Sequence, residues 1–261
     1  MMILVLSIIL FILLFLTGKS RGIKSFATLY ANILIIILYI FLMDKGMNAV
    51  LLALLLSVGA SAFILFVLNG VNVKSKTAFL SVMIVIGITS AIAITVTSFA
   101  NIQGFAEDKI EAVGGFNYDI NYSMSQLMMG IFIVSITGTA VDTSVSVSSA
   151  LYEVYENNRH LSRHELHVSG MNIGRDIMST TINTLFFAIL ICIIGFFIWH
   201  RNASPGYVIN YKSFAQSAID LLICCISSIL VIPITSYMTA CRLTGKQQKT
   251  KTYVPKHTSK R

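Results

Sequence analysis

Residues 26–69 have the sequence FATLYANILIIILYIFLMDKGMNAVLLALLLSVGASAFILFVLN, in which two apolar runs are separated by Asp44, Lys45 and Gly46. Each run has about 18 residues or more, the length that an α-helix needs to cross a hydrocarbon core about 30 Å thick. Backbone polar groups cannot bond to water inside a bilayer, so a crossing segment that is not part of a closed barrel must be helical. The stretch therefore predicts two successive membrane-spanning helices.

The rest of the chain repeats this pattern. Of its 261 residues, 56% are hydrophobic and 11% are charged, and a water-soluble fold of this length has no interior large enough for so much apolar surface. We therefore predict an all-α, polytopic membrane helical bundle of about seven transmembrane helices over residues 1–245. A basic, disordered cytoplasmic tail is predicted at 246–261. The predicted spans are about 2–17, 26–43, 47–69, 77–100, 124–152, 177–199 and 218–241.

The distribution of charge predicts the orientation of the bundle. The net charge is +8, and the basic residues lie between the apolar runs and in the C-terminal segment, so we expect an anionic lipid bilayer as the partner and no nucleic acid. With the C-terminus cytoplasmic, inner segments hold fifteen Lys and Arg and outer segments hold four. No basic residue precedes the first run and Lys19, Arg21 and Lys24 follow it, which favours a retained helix with its N-terminus outside.

The fifth predicted span contains the main candidate functional residue, Asp142. Its sequence from Ser135 to Ala150 is SITGTAVDTSVSVSSA, and Asp142 lies about ten residues, roughly 15 Å, from its cytoplasmic end. An ionised carboxylate at that depth costs a few kcal/mol or more unless it is paired or hydrated. The sequence therefore predicts a buried aspartate that could bind a cation or exchange a proton.

The polar neighbours of Asp142 predict a route for that ion. Helical spacing places a set of small and acidic residues on one stripe, which must face the bundle interior or a water-filled path. Asn183 in the next span lies at a depth that could approach this face. The alternative is that the serines and the glycine only let helices pack closely, with Asp142 as a hydrogen-bonded link. The predicted relay residues are Gly138, Asp142, Ser146, Ser149 and Glu153, on a stripe that begins at Ser135 and ends at Glu156, together with Asn183 of the next span.

The sequence does not favour a metal site or an enzyme active site. His160, His164 and His167 have helical spacing, but an amphipathic interfacial helix explains them more simply than a metal site. An intramembrane aspartyl protease needs two facing acids. Asp220, near the outer end of the last span, is expected to be interfacial and too far from Asp142. We predict no enzyme, no cofactor and no metal.

Several motifs in the second half of the chain resemble the YibE/F family of prokaryotic membrane proteins. That resemblance implies a multi-pass protein of a prokaryotic plasma membrane and assigns no particular activity. The matching segments are Gly138-x-x-x-Asp142, Ser146-Val-Ser-Ser-Ala-Leu151, Leu161-Ser-Arg-x-Glu165-Leu, Ser169-Gly-Met-Asn-Ile-Gly-Arg-Asp-Ile-Met178, Asn183-Thr-Leu185 and Val231-Ile-Pro-Ile-Thr235.

Gly138-Thr-Ala-Val-Asp142 also resembles the proton-relay helix of RND-type permeases and of the SecD/SecF translocation subunits. This weaker resemblance implies an RND-permease-like half in the last five spans, which assembles with a related YibE/F-type subunit or as a homo-oligomer. The chain departs from RND pumps because Thr143 follows Asp142, no span contains a lysine and a large external domain is absent. We predict a permease-like, ion- or proton-coupled transporter subunit; the alternative is a non-transporting scaffold or accessory subunit.

Overall fold

The computed structural model describes residues 2–100, 123–199, 201 and 204–252. Within those ranges the chain forms eight α-helices and no strand, which confirms the predicted all-α membrane bundle. The helices are α1 Met2–Gly18, α2 Ser20–Asp44, α3 Ala49–Asn69, α4 Val73–Ala100, α5 Met124–Asn157, α6 Arg163–Trp199, α7 Pro205–Asn210 and α8 Lys212–Thr252.

Five of the described helices are long and apolar enough to cross a membrane by length and composition: α2, α3, α4, α5 and α8 as far as Gly245. Helix α1 is also apolar, with 17 residues. Helix α6 contains the predicted span 177–199 but begins at Arg163, so the preceding cytoplasmic segment is largely helical too. The number of crossings, seven, stays a prediction.

The two ends of the chain differ from the sequence-based expectation. A loop was expected between residues 17 and 26, yet only Lys19 separates α1 from α2, with a positive φ of 44°. The turn brings Gly22 against the Leu14 carbonyl, where a Cβ would clash with the backbone. At the other end, α8 continues to Thr252, so residues 246–252 of the predicted disordered tail are helical. Residues 253–261, like the acidic stretch 101–121, lie outside the described residues.

Small hydroxyl residues join the central helices α4, α5 and α8. The Ser144 hydroxyl donates to the carbonyl of Ala78 on α4 at 3.1 Å and lies 3.1 Å from the Thr235 hydroxyl on α8. Thr143 and Ser228 form a second buried α5–α8 pair, also at 3.1 Å. Small residues let membrane helices approach closely, and their hydroxyls then bond across the interface. An apolar cluster surrounds these pairs and includes Val82, Val85, Ala140, Val147 and Val231.

Helix α6 packs against α8 through two glycines. A Cβ on Gly170 would clash with the Ser236 side chain, and a Cβ on Gly174 would clash with the side chain of Ile232. Both glycines are buried. Their lack of a side chain therefore sets the distance between the two helices that border the candidate site.

Side-chain caps fix where α3 and α6 begin. The Asn48 side chain accepts from the amides of Val50 and Leu51 at 3.1 and 3.3 Å, at the start of α3. Ser162 and Glu165 bond each other's backbone amides at the start of α6, a capping box. These caps satisfy amides that have no partner within the first helical turn.

Candidate functional site

A cavity of about 550 Å³ lies between α5, α6 and α8. Two carboxylates and five hydroxyl-bearing side chains contribute to its wall, and none of the lining residues is basic. The cavity is therefore an acidic space with mixed polar and apolar walls, beside a helix that is apolar enough to cross a membrane. Its lining residues are Ser135, Gly138, Thr139, Asp142, Thr180, Thr181, Thr184, Leu185, Ala188, Ile189, Asp220, Leu221 and Cys224.

Asp142 lines this cavity but is not buried in the bundle. Its side chain is exposed, which corrects the prediction of a buried aspartate. The reason is the choice of packing face on α5: Ala140, Ser144, Val147 and Leu151 pack inward, on the side opposite Asp142. Of the two surroundings predicted for the polar stripe, the structure excludes the packed bundle interior for Asp142.

Asp220 is the second acid of the cavity. It is half-buried two turns inside α8 and lines the same cavity as Asp142. Its Oδ2 accepts from the Ser135 hydroxyl at 3.3 Å, and its Oδ1 lies 3.9 Å from the Cys224 thiol, which donates. Its position at the membrane interface stays a prediction.

The two acids do not form a proton-sharing dyad. Ser135 precedes Asp142 by seven residues, or about 10 Å along the helix axis, and Asp220 bonds to Ser135. A dyad requires carboxylates within about 3 Å of each other. The arrangement is instead that of two separate carboxylates along one polar cavity.

The other predicted relay residues are divided between the cavity and the exposed surface. Gly138 lines the cavity, and a Cβ at this position would meet no atom within 4 Å, so Gly138 is not a close-packing residue. Ser146 and Ser149 are half-buried and Glu153 is exposed, all outside the cavity lining. Asn183 is exposed and also lies outside the lining.

Helix α6 contributes threonines rather than Asn183 to the cavity. Thr180, Thr181 and Thr184 line it. The hydroxyls of Thr180 and Thr184 donate to the carbonyls of Ile177 and Thr180 at 2.9 Å each, and both oxygens keep lone pairs for a ligand. Their spacing of four residues was the available signal, since positions i and i+4 share a helix face.

A second cavity, of about 360 Å³ and mostly apolar walls, lies between α2, α3 and α5. Ser135 and Gly138 line both cavities, so the two spaces adjoin across α5. Isoleucines of α2, α3 and α5 provide much of the apolar surface. The lining residues are Asn32, Ile35, Ile36, Tyr39, Leu56, Ser57, Ala60, Ile64, Ile131, Val134, Ser135, Thr137 and Gly138.

The histidines are separated at the predicted cytoplasmic end. His160 lies in a turn before α6, and His164 is exposed. Nδ1 of His167 lies 3.0 Å from the Ser236 hydroxyl, which itself donates to the His167 carbonyl at 2.9 Å. Within the described ranges, no three His, Cys, Asp or Glu side chains gather as metal ligands would. His167 is a packing and hydrogen-bonding residue between α6 and α8.

The comparisons with known proteins identify one family. A family model described as YibE/F-like protein matches residues 6–245, most of the chain. No curated protein and no solved structure matches the chain. The matched range contains every residue that lines either cavity.

Proposed function

The chain belongs to the YibE/F-like protein family, and we propose that it is a permease-like subunit that couples transport to an ion or a proton through Asp142. It is a membrane protein with several apolar helices. The observation that supports the proposal is the exposure of Asp142 to an acidic cavity beside α5. In this proposal the protein is a transporter rather than an enzyme, and it resides in a prokaryotic plasma membrane with its N-terminus outside and C-terminus inside.

The physical basis is the cost of a charge at this position. Asp142 lies near the middle of a helix long enough to cross the bilayer, where facing hydrocarbon would cost its ionised form several kcal/mol. Water in the cavity removes much of that cost, and binding a proton or a cation removes more. The occupancy of Asp142 therefore changes the charge of the cavity, which is how an ion gradient could drive a conformational step.

A second subunit completes the proposal. Several polar residues along α6 are exposed, and a polar face inside a bilayer is stable only against protein or water. A related YibE/F-type subunit or a second copy of this chain would cover that face. The proposal includes an RND-permease-like arrangement of the last five spans, as expected for such a half-transporter. The polar residues of this face are Asn172, Arg175 and Asp176, just before the predicted span 177–199, and Ser179, Thr180, Asn183 and Thr184 within it.

The test is complementation of a strain that lacks the protein, once the deletion phenotype is established. Asp142→Asn keeps the shape of the side chain and removes its charge and its titration. We expect this variant to be inactive at a normal membrane level, and Asp142→Glu to retain part of the activity. Asp44→Asn is the matched control, because Asp44 is exposed at the end of α2, outside both cavity linings, and this variant should restore function.

The alternative is a non-transporting scaffold or accessory subunit. The same exposed polar face of α6 favours it, because a subunit interface needs no ion pathway. Full function of Asp142→Asn would support this alternative, since an interface can be maintained by a neutral amide. Loss of function with intact assembly would support the transporter.

A further inference from the structure

The two cavities on either side of α5 adjoin each other, and the larger is lined by two carboxylates whereas the smaller is lined by none. Ser135 and Gly138 line both, and a Cβ on Gly138 would meet nothing within 4 Å. The α5 backbone therefore separates the cavities, and the open surface at the exposed Gly138 joins them around the side of the helix. Both volumes, about 550 and 360 Å³, lie in the range of small-molecule sites.

Charge selects what the larger cavity can hold. Asp142 and Asp220 line it together, and no lysine, arginine or histidine is among its lining residues. A cation is favoured there and an anion is repelled, and the surrounding low-dielectric helices strengthen both effects. Hydroxyls of Thr180, Thr181 and Thr184 add acceptors but no charge.

The smaller cavity is not suited to an inorganic ion. Its walls are mostly aliphatic, so an ion there would lose its hydration without replacement. One polar group in its lining is buried without a partner: Ser57 is 3% exposed, and its hydroxyl has no hydrogen-bond partner in the part of the chain that the structure describes. A buried hydroxyl without a partner is costly, so it points to a ligand group that would bond to it.

We propose that the two cavities together form one site for an amphipathic organic cation. The ammonium group lies between Asp142 and Asp220, and the hydrocarbon part passes Gly138 into the groove formed by α2, α3 and α5. This substrate class rests on the proposed function, because it names what the permease would carry. This proposal gives the apolar groove a role, whereas ion coupling at Asp142 alone gives it none.

Binding to the purified full-length chain in lipid nanodiscs tests the proposal, with empty nanodiscs as the background. Decyltrimethylammonium carries both the charge and the chain, decyl sulfate reverses the charge, and tetramethylammonium lacks the chain. We expect saturable binding of decyltrimethylammonium above background, with decyl sulfate and tetramethylammonium each about tenfold weaker or worse, a difference that corresponds to about 1.4 kcal/mol.

Two substitutions address the two halves of the site separately. Asp220→Asn removes one charge, and Ala60→Phe places a ring in the groove that Ala60 lines. Each should weaken decyltrimethylammonium binding by about tenfold. Gly59→Phe is the matched control, because Gly59 is exposed, lies outside both cavity linings and has open space around its Cβ position. It should bind within about twofold of the wild type, and size-exclusion profiles show whether each variant is folded.

Three outcomes would overturn the proposal. Equal binding of decyl sulfate would remove the role of the two acids, and binding no greater than that of empty nanodiscs would mean that the groove holds only lipid. Unchanged binding in folded Ala60→Phe would mean that the site takes a small cation alone. If any of these results is obtained while Asp142→Asn is inactive in cells, the proposed ion coupling is retained and the amphipathic substrate class is rejected. If amphipathic binding is as expected while Asp142→Asn is active, the site stands and the proposed coupling fails.

Discussion

The hydroxyl of Ser135 on α5 donates to the Oδ2 of Asp220 on α8 at 3.3 Å. This bond connects two helices that are each apolar and long enough to cross a membrane. It also holds the second acid of the cavity two helical turns from Asp142, so the carboxylates are spaced along the cavity rather than paired.

The Ser135–Asp220 bond should contribute measurably to stability. Interhelical hydrogen bonds in membranes contribute about 0.6 kcal/mol on average and up to about 1.7, and bonds to a carboxylate belong to the stronger ones. We expect Ser135→Ala to lower the free energy of unfolding by about 1 kcal/mol in an SDS-unfolding titration. Combined with Asp220→Asn in a double-mutant cycle, the two losses should not add, and additive losses would show that the two side chains do not interact.

A second stability prediction concerns Ser144. Its hydroxyl bonds to α4 and lies against Thr235 of α8, and the residue is fully buried. Ser144→Val keeps a small side chain but leaves the Thr235 hydroxyl without this partner, so we expect a loss of about 1–2 kcal/mol in unfolding free energy. Ser146→Val, on the half-buried face of the same helix, is the control and should change the unfolding midpoint little. Equal losses in the two variants would contradict the assignment.

The contrast between Ser144 and Ser146 shows how far the sequence could predict this fold. Hydropathy identified the helices, because each crossing segment must be long and apolar. Periodicity correctly grouped Asp142 with Gly138, but it could not say which face of α5 packs inward. Alanine, serine and valine on the opposite face pack against α4 and α8. The sequence of one helix does not show which other helices it will contact. The Ser135–Asp220 bond could not be predicted for the same reason, because the two residues are 85 apart in the sequence.

Close packing of α6 on α8 depends on Gly170 and Gly174. A methyl group at either position would overlap the side chain of Ser236 or Ile232. Overpacking of this kind typically costs 1–3 kcal/mol. We expect Gly170→Ala and Gly174→Ala to lower the apparent Tm of the purified protein, measured by fluorescence-detected size exclusion after heating.

The matched control for these glycines is Gly87→Ala on α4. Gly87 is exposed, and a Cβ there would meet no atom within 4 Å. Alanine is favoured over glycine in a helix interior by roughly 0.5–1 kcal/mol, so this variant should be unchanged or slightly more stable. Equal losses at Gly87 and at Gly174 would mean that steric overlap with α8 is not the cause.

The capping box at the start of α6 gives a pH prediction. Glu165 lies in the predicted cytoplasmic segment 153–176, and the Ser162 amide and then the Ser162 hydroxyl hold the pKa of its carboxyl below the usual 4.5. The Ser162 amide donates to Oε2 of Glu165 at 2.7 Å. Because the folded-state pKa is lowered, the cap stabilises the helix start at pH values above 4.5. That contribution is lost as the pH falls through the folded-state pKa.

Carbon-13 NMR of the glutamate carboxyls measures this pKa directly, with the Glu165 signal assigned by its absence in Glu165→Gln. We expect a midpoint below 4.5 in the wild type. In Ser162→Ala the midpoint should move upward but stay below 4.5, because the backbone amide still donates while the hydroxyl is gone. A wild-type midpoint at or above 4.5 would show that the amide does not bond to the carboxylate in solution, and the start of α6 would then depend on tertiary packing alone.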